Sequence, residues 1–67
     1  MVKIWRNRVE AGTQRLADCP MKYRNGVISL IQADIESGSY TVEQLRQLVE
    51  DGMMTPEEYE EIVGEEY

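Results

Sequence analysis

The chain repeats one short phrase, an apolar residue followed by Glu, any residue and Gly, and this phrase strongly limits its fold. It occurs at residues 9–12, 35–38 and 49–52, and the second and third glycines are 14 residues apart. That spacing fits one short helix and one turn. Glycine can adopt the positive φ that closes a helix, and the residues after the later two copies carry helix-start signals. The phrase therefore predicts consecutive short helices separated by tight turns.

Two adjacent capping boxes mark the starts of the last two helices, at residues 41–44 and 55–58. In each box the threonine hydroxyl can accept a hydrogen bond from the backbone N–H three residues later, while the Gln or Glu side chain there reaches back. The boxes predict helices near 42–51 and 56–63, each ended by a glycine. Hydrophobic staples accompany both boxes and pair Tyr40 with Leu45 and Met54 with Tyr59.

Apolar residues at helical spacing predict two earlier helices, near 2–11 and 20–36. Val2, Trp5 and Val9 form the stripe of the first helix. The stripe of the second consists of Tyr23, Val27, Leu30, Ile31 and Ile35. Asn25-Gly26 is a turn signal inside this helix, so a kink or break at Gly26 is the alternative to one continuous helix.

Together these signals predict an all-α fold, a small bundle of about four short helices joined by Gly-containing turns. A chain of 67 residues forms one small domain, 1–67, and buries only about 60% of its unfolded surface. Residues 38–67 form a capped helix-turn-helix unit within that domain. When the repeats are aligned on their glycines, Arg15 takes the position of Thr41 and Thr55, so the first copy has lost its cap.

The sequence contains no histidine and one cysteine, Cys19. His- and Cys-based metal sites and nucleophile–base pairs are therefore excluded within one chain. We predict no enzyme activity, no catalytic residue, no metal and no cofactor. No apolar run approaches the roughly 20 residues of a membrane span, and the basic start lacks the apolar region of a signal peptide. We therefore expect neither a membrane anchor nor secretion by a signal peptide.

Charge is divided unevenly along the chain. Residues 1–25 hold six Lys and Arg against two acids, whereas residues 26–67 hold one Arg against 11 acids, within a net charge of −6. A solvated acidic surface with a basic edge is the simplest interpretation. The alternative is that the two ends dock, head to tail between copies or onto separate partners, because complementary charge orients association. The negative net charge argues against direct binding of nucleic acid.

Two sets of residues are candidates for contact with a partner. Met and Tyr are favoured at protein interfaces, and four of them occupy turns or the C-terminus: Tyr40, Met53, Met54 and Tyr67. Packing beneath the helix turns is the alternative for this set. Four carboxylates of the last helix form a candidate acidic face: Glu57, Glu58, Glu60 and Glu61. Their attraction to the positive N-terminal end of that helix explains them without a catalytic role.

The chain closes with Ile62-Val63-Gly64-Glu65-Glu66-Tyr67, after the helix-turn-helix phrase that begins at Tyr40. Residues 38–67 thereby resemble the XkdX-like family of short phage proteins, whose C-terminal sequences typically end in Ile-Thr-Gly-Glu-Asp-Tyr. Val63 stands where the family usually has Thr, and Met53-Met54 where it has an apolar residue and Ile. The first 37 residues are similar to longer phage-encoded variants. The resemblance implies association with tail, fibre or baseplate genes and brings neither an enzymatic activity nor functional residues to carry over.

Two function hypotheses follow. The first is a non-enzymatic structural or accessory protein of a phage tail, baseplate or fibre assembly. Its partners would be tail or fibre proteins or copies of itself, in the virion or the bacterial host cytoplasm. The rival is a small acidic phage inhibitor or regulator that binds a host enzyme, such as a defence nuclease. In that case the acidic helices 42–66 would occupy a basic nucleic-acid groove.

Overall fold

The last two helices begin at the two threonine capping boxes. The computed structural model describes residues 1–67, with helix α3 at Val42–Glu50 and α4 at Pro56–Val63. In both boxes the threonine hydroxyl accepts from the backbone N–H three residues later at 3.1 Å. The side chain of that later residue accepts from the threonine N–H in return. The predicted helices near 42–51 and 56–63, and both of their caps, are confirmed.

The first two helices, α1 at Val2–Ala11 and α2 at Met21–Ser37, are also confirmed. Helix α2 starts one residue later than expected because Pro20 occupies its N-cap position. It continues unbroken through Gly26, so the alternative of a break there is wrong. A Cβ atom at Gly26 would lie 3.0 Å from Cγ1 of Val2. The absence of a side chain at this position therefore lets α1 approach α2 closely.

The three copies of the repeated phrase end in similar ways but continue differently. After the first and third copies, backbone N–H groups donate from Thr13 to Arg8 and from Met53 to Leu48, which is the Schellman pattern. The two later copies lead into capped helices. The first leads only into a 3₁₀ turn at Leu16–Asp18, because Arg15 provides no side-chain cap there.

Helix α2 lies at the centre of the bundle, with α1 and α4 packed against it and α3 packed against α4. Val2 lies against Gly26, and Glu10 lies beside Asp34. The second contact is eight residues further along the chain than the first, both on α1 and on α2. The two helices therefore run in the same general direction. The predicted all-α bundle is confirmed, since the elements are four α-helices and one 3₁₀ turn.

All buried side chains belong to one core cluster and none is charged. Its members are Val9, Leu16, Cys19, Val27, Ile28, Ile31, Tyr40, Leu45, Leu48, Met54, Tyr59 and Ile62. Ile28 joins this core although it lies off the predicted stripe of α2. None of the helices combines the length and apolar character that crossing a bilayer requires.

Candidate interaction surface

The structure divides the four candidate contact residues between the core and its edge. Tyr40 and Met54 are only 7% and 3% exposed, so their side chains form part of the core and not of an open surface. Both precede a capping threonine, and their staple partners Leu45 and Tyr59 are buried with them. Packing beneath the turns, the alternative interpretation, describes these two residues. Only Met53 and Tyr67 remain partly exposed for contact with a partner.

Tyr67 closes the C-terminus onto α3 and α4. Its ring meets that of Tyr59 edge to face, with centroids 5.2 Å apart. The Tyr67 ring also makes a cation–π contact with the Arg46 guanidinium, which lies 4.5 Å from the ring centroid. The Tyr67 hydroxyl donates to Oε1 of Glu50 at 2.9 Å, and this hydrogen bond raises the pKa of Tyr67 above its usual value. The terminal tyrosine therefore fixes the last residues of the chain.

Two of the four carboxylates in the candidate acidic face have structural partners. The Glu58 carboxylate completes the capping box of α4 by accepting from the Thr55 N–H at 2.8 Å. The Glu61 carboxylate pairs with both terminal nitrogens of Arg24, at 2.8 and 3.2 Å, and this hydrogen bonding lowers the pKa of Glu61. Glu57 and Glu60 are exposed and take part in no ion pair. The acidic face available to a partner is therefore smaller than the sequence suggests.

Ion pairs join the basic first part of the chain to the acidic second part. Arg24 of α2 reaches Glu61 of α4, and Arg6 of α1 reaches Asp34 of α2 at 2.8 Å. Part of the charge asymmetry is therefore neutralised inside one molecule. Lys3 and Lys22 make no ion pair and keep the starts of α1 and α2 positive.

A carboxyl pair between α1 and α2 was not anticipated from the sequence. The Glu10 carboxyl lies beside the Asp34 carboxylate, to which it can donate when protonated, and Asp34 also accepts from Arg6. Oε2 of Glu10 is buried and accepts from no donor. The Tyr40 hydroxyl donates to the Glu10 carbonyl oxygen at 3.0 Å. The only sequence signal was the Glu of the repeated phrase, which does not indicate a partner. No three potential metal ligands come together anywhere in the structure.

This pair shifts the acidity of its members in opposite directions. Burial, with the neighbouring Asp34 charge, raises the pKa of Glu10 from 4.5 to about 7. The hydrogen bond from Glu10, together with Arg6, lowers the pKa of Asp34. Burial also raises the pKa of Tyr40 to about 12, with a further contribution from the charge of Glu10. The two carboxyl groups therefore titrate as a coupled pair, in which Glu10 keeps its proton to the higher pH.

An apolar groove opens between α2 and α4, and we name it the α2–α4 groove. Its volume is about 330 Å³, and it is lined by Gln32, Ile35, Glu36, Ile62 and Val63. The Gln32 amide crosses to α4 and donates to the Ile62 carbonyl oxygen at 3.1 Å. Three of the five lining residues are apolar and one is acidic, so the groove suits an apolar segment that carries positive charge.

Three large apolar side chains in the first parts of α1 and α2 are exposed. Met1, Ile4 and Met21 are 61%, 46% and 85% exposed. Met21 opens α2, and the packing of Val2 on Gly26 places the start of α1 beside the first half of α2. We name the surface at these two helix starts the basic end and define it by Met1, Lys3, Met21 and Lys22. The sequence indicated a basic edge within residues 1–25 but not the exposed Met21, which lies outside the apolar stripe of α2.

The fold and its surfaces define a small all-α module whose polar clusters lie at contacts between helices. A family model described as "Phage uncharacterised protein (Phage_XkdX)" matches residues 35–67. The predicted resemblance of the chain's C-terminal part to the XkdX-like family of phage proteins is therefore confirmed over residues 35–67. The matched region begins with the second copy of the repeated phrase and includes α3, α4 and Tyr67. No significant match was found among curated proteins or among solved structures.

Proposed function

We propose that this protein is a non-enzymatic structural or accessory component of a phage tail, baseplate or fibre assembly. The observation that carries the proposal is the family match over residues 35–67. Resemblance of this same region to XkdX-like proteins implies association with tail genes, and the protein would act there through protein contacts.

The arrangement of the matched region supports a contact role. Both helices of that region are capped at their first residues, and Tyr67 holds the C-terminus against α3 and α4. Such local closure keeps a short module in one shape. The α2–α4 groove lies partly on this region, where Val63 and the largely buried Ile62 of α4 line it. An apolar groove on a rigid frame is a feature that a neighbouring protein can occupy.

The acidic surface of α4 favours a second candidate function, inhibition of a host enzyme by occupation of a basic nucleic-acid groove. Glu57 and Glu60 are exposed and outside any ion pair. However, Glu58 and Glu61 are engaged by the cap of α4 and by Arg24. Phosphate mimicry depends on many free negative charges, so this engagement favours the tail proposal over the inhibitor.

Mass spectrometry of purified particles tests the two candidates together. A tail component is expected at a fixed ratio to known tail proteins in gradient-purified particles. An inhibitor is expected to be absent from them and to be recovered with a host enzyme from infected cells. Absence from particles, with recovery of a stoichiometric host enzyme, would overturn the tail proposal.

A charge variant provides the matching control. Glu57→Gln combined with Glu60→Gln removes the two free acids and leaves the cap and the Arg24 ion pair in place. A tail component should be incorporated into particles at wild-type level. A nucleic-acid mimic should lose most of its affinity for its enzyme, because close charge pairs contribute strongly to such contacts.

A further inference from the structure

The α2–α4 groove and the basic end are complementary in both polarity and charge. The groove combines Ile35, Ile62 and Val63 with the carboxylate of Glu36. The basic end combines the exposed apolar side chains of Met1 and Met21 with Lys3 and Lys22, which make no ion pair. Complementary potentials steer association and fix its orientation.

These two surfaces cannot satisfy each other within one molecule. Met21 and Ile35 are 14 residues apart on α2, which corresponds to about 21 Å along the helix at about 1.5 Å per residue. The longest dimension of the molecule is 26 Å. The groove and Met21 therefore lie near opposite ends of the bundle, and each is open to another molecule.

We propose that the α2–α4 groove binds the basic end of a second copy of the chain, so that copies associate head to tail. Met21 of one copy enters the apolar part of the groove in the next. A lysine beside it faces Glu36. Because the two surfaces differ, the contact is heterologous, and it leads to a ring if the rotation closes or to a filament if it does not.

The size of the molecule limits the strength of this contact. A standard interface buries about 800 Å² per partner, which is about a fifth of the 4159 Å² surface of this chain. Both surfaces together would use about two fifths of it. The groove and the basic end are smaller than this, so we expect a weak contact that forms at high local concentration. Salt should weaken it, since the charged groups are exposed.

This inference deepens the proposed function by naming a second copy as a partner, but the two can fail separately. Self-association is measured on the isolated protein, whereas a tail location is measured on particles. A monomeric protein that is found in particles would overturn the contact and leave the tail proposal standing. A protein that self-associates but is absent from particles would overturn the tail proposal and leave the contact standing.

Sedimentation equilibrium of the full chain at low salt, from micromolar to millimolar concentration, tests the contact. The average mass should rise with concentration and pass that of a dimer. Two variants alter exposed residues only: Glu36→Lys in the groove, and Met21→Glu with Lys22→Glu at the basic end. Each should weaken association by more than about tenfold, because like charges oppose each other across the contact. Glu43→Lys, the same charge change on α3, is the matched control and should associate as the wild type does.

Mixing the two variants separates a head-to-tail contact from a symmetric one. Each variant keeps one intact surface, so an equal mixture should associate at concentrations at which neither variant associates alone. Circular dichroism of each variant checks that its helix content is unchanged. A wild type that stays monomeric at millimolar concentration would overturn the proposal. Association insensitive to both variants, or a mixture that stays monomeric, would overturn it as well.

Discussion

The two halves of this small bundle are held by different kinds of interaction. In residues 38–67 both helices carry complete capping boxes and end at glycines. In residues 1–37 neither helix nor the 3₁₀ turn has a side-chain cap. The first half depends instead on contacts distant in sequence, such as the Arg6–Asp34 ion pair and the close approach of Val2 to Gly26.

This difference shows how one repeated phrase can give two outcomes. A cap adds roughly 1 kcal/mol to a helix locally, so a helix can start at Thr41 or Thr55 from nearby residues alone. At Arg15 no such local contribution exists, and the chain forms a 3₁₀ turn whose Leu16 is fully buried. Where the local signal is missing, the core determines the conformation.

The strongest test of this comparison is Leu16→Ala. Leu16 is fully buried, and its N–H donates to the Met53 carbonyl across the turn between α3 and α4. Removing a buried leucine side chain costs about 2–5 kcal/mol, against about 3–10 kcal/mol for a whole domain of this size. Urea unfolding followed by circular dichroism should show this loss.

Met21→Ala is the control for Leu16→Ala, because Met21 is 85% exposed and its truncation should change stability by less than about 0.5 kcal/mol. Hydrogen exchange in the Leu16→Ala protein gives a second measurement. Amides of α1 should lose more protection than those of α3, since α1 has no cap of its own. Equal losses in both helices would contradict the division of the molecule into two differently stabilised halves.

The same division explains how much could be predicted from the sequence. The caps of α3 and α4 involve residues three positions apart, so residues 41–44 and 55–58 contain all that determines them. The sequence left a kink or break of α2 at Gly26 open, because glycine lowers helix propensity and propensity reflects only the local sequence. The reason that glycine suits this position is Val2 on another helix, and no local pattern contains that information.

The interaction surfaces were less predictable than the helices. Tyr40 and Met54 were candidates for contact because turn positions are often exposed, but both are staple residues and pack into the core. The Glu10–Asp34 pair joins helices whose relative direction the sequence did not give. Surfaces and polar clusters depend on which helix faces meet, and that follows from the whole core.

The Glu10–Asp34 pair predicts that stability falls as pH rises. The pKa of Glu10 is about 7 in the folded protein and 4.5 ordinarily, so between these values the folded state holds a proton that the unfolded state has lost. The free energy of unfolding therefore decreases with pH in this window. The lowered pKa of Asp34 acts in the opposite sense, but at lower pH, below 3.8. We expect the free energy of unfolding to fall by about 1–2 kcal/mol across this pH window. A shift of one pKa unit corresponds to about 1.4 kcal/mol, and solvent reduces the effect at a partly exposed group.

Glu10→Gln isolates this effect. The amide can still donate to Asp34 but carries no charge, so the variant should lose the pH dependence and be more stable than the wild type at pH 8. Urea unfolding at pH 5 and pH 8 measures both proteins. If the wild type and the variant decline equally between these values, the carboxyl pair is not the cause of the decline.

The smallest expected effect is the difference in stability between two substitutions at equivalent positions of the repeat. Thr55→Ala removes a hydroxyl that accepts from the Glu58 N–H at 3.1 Å, and it should cost about 1 kcal/mol. Arg15→Ala changes the matching position of the first copy, where the side chain caps nothing and only pairs with Asp18 on the surface. Exposed pairs contribute about 0–1 kcal/mol, so this substitution should cost less than Thr55→Ala, and its effect should shrink further at high salt.

Thermal unfolding of both variants at low and high salt distinguishes a cap from a surface ion pair. Equal costs at both positions would mean that the first copy keeps a working helix start, and the two halves would then differ in packing alone.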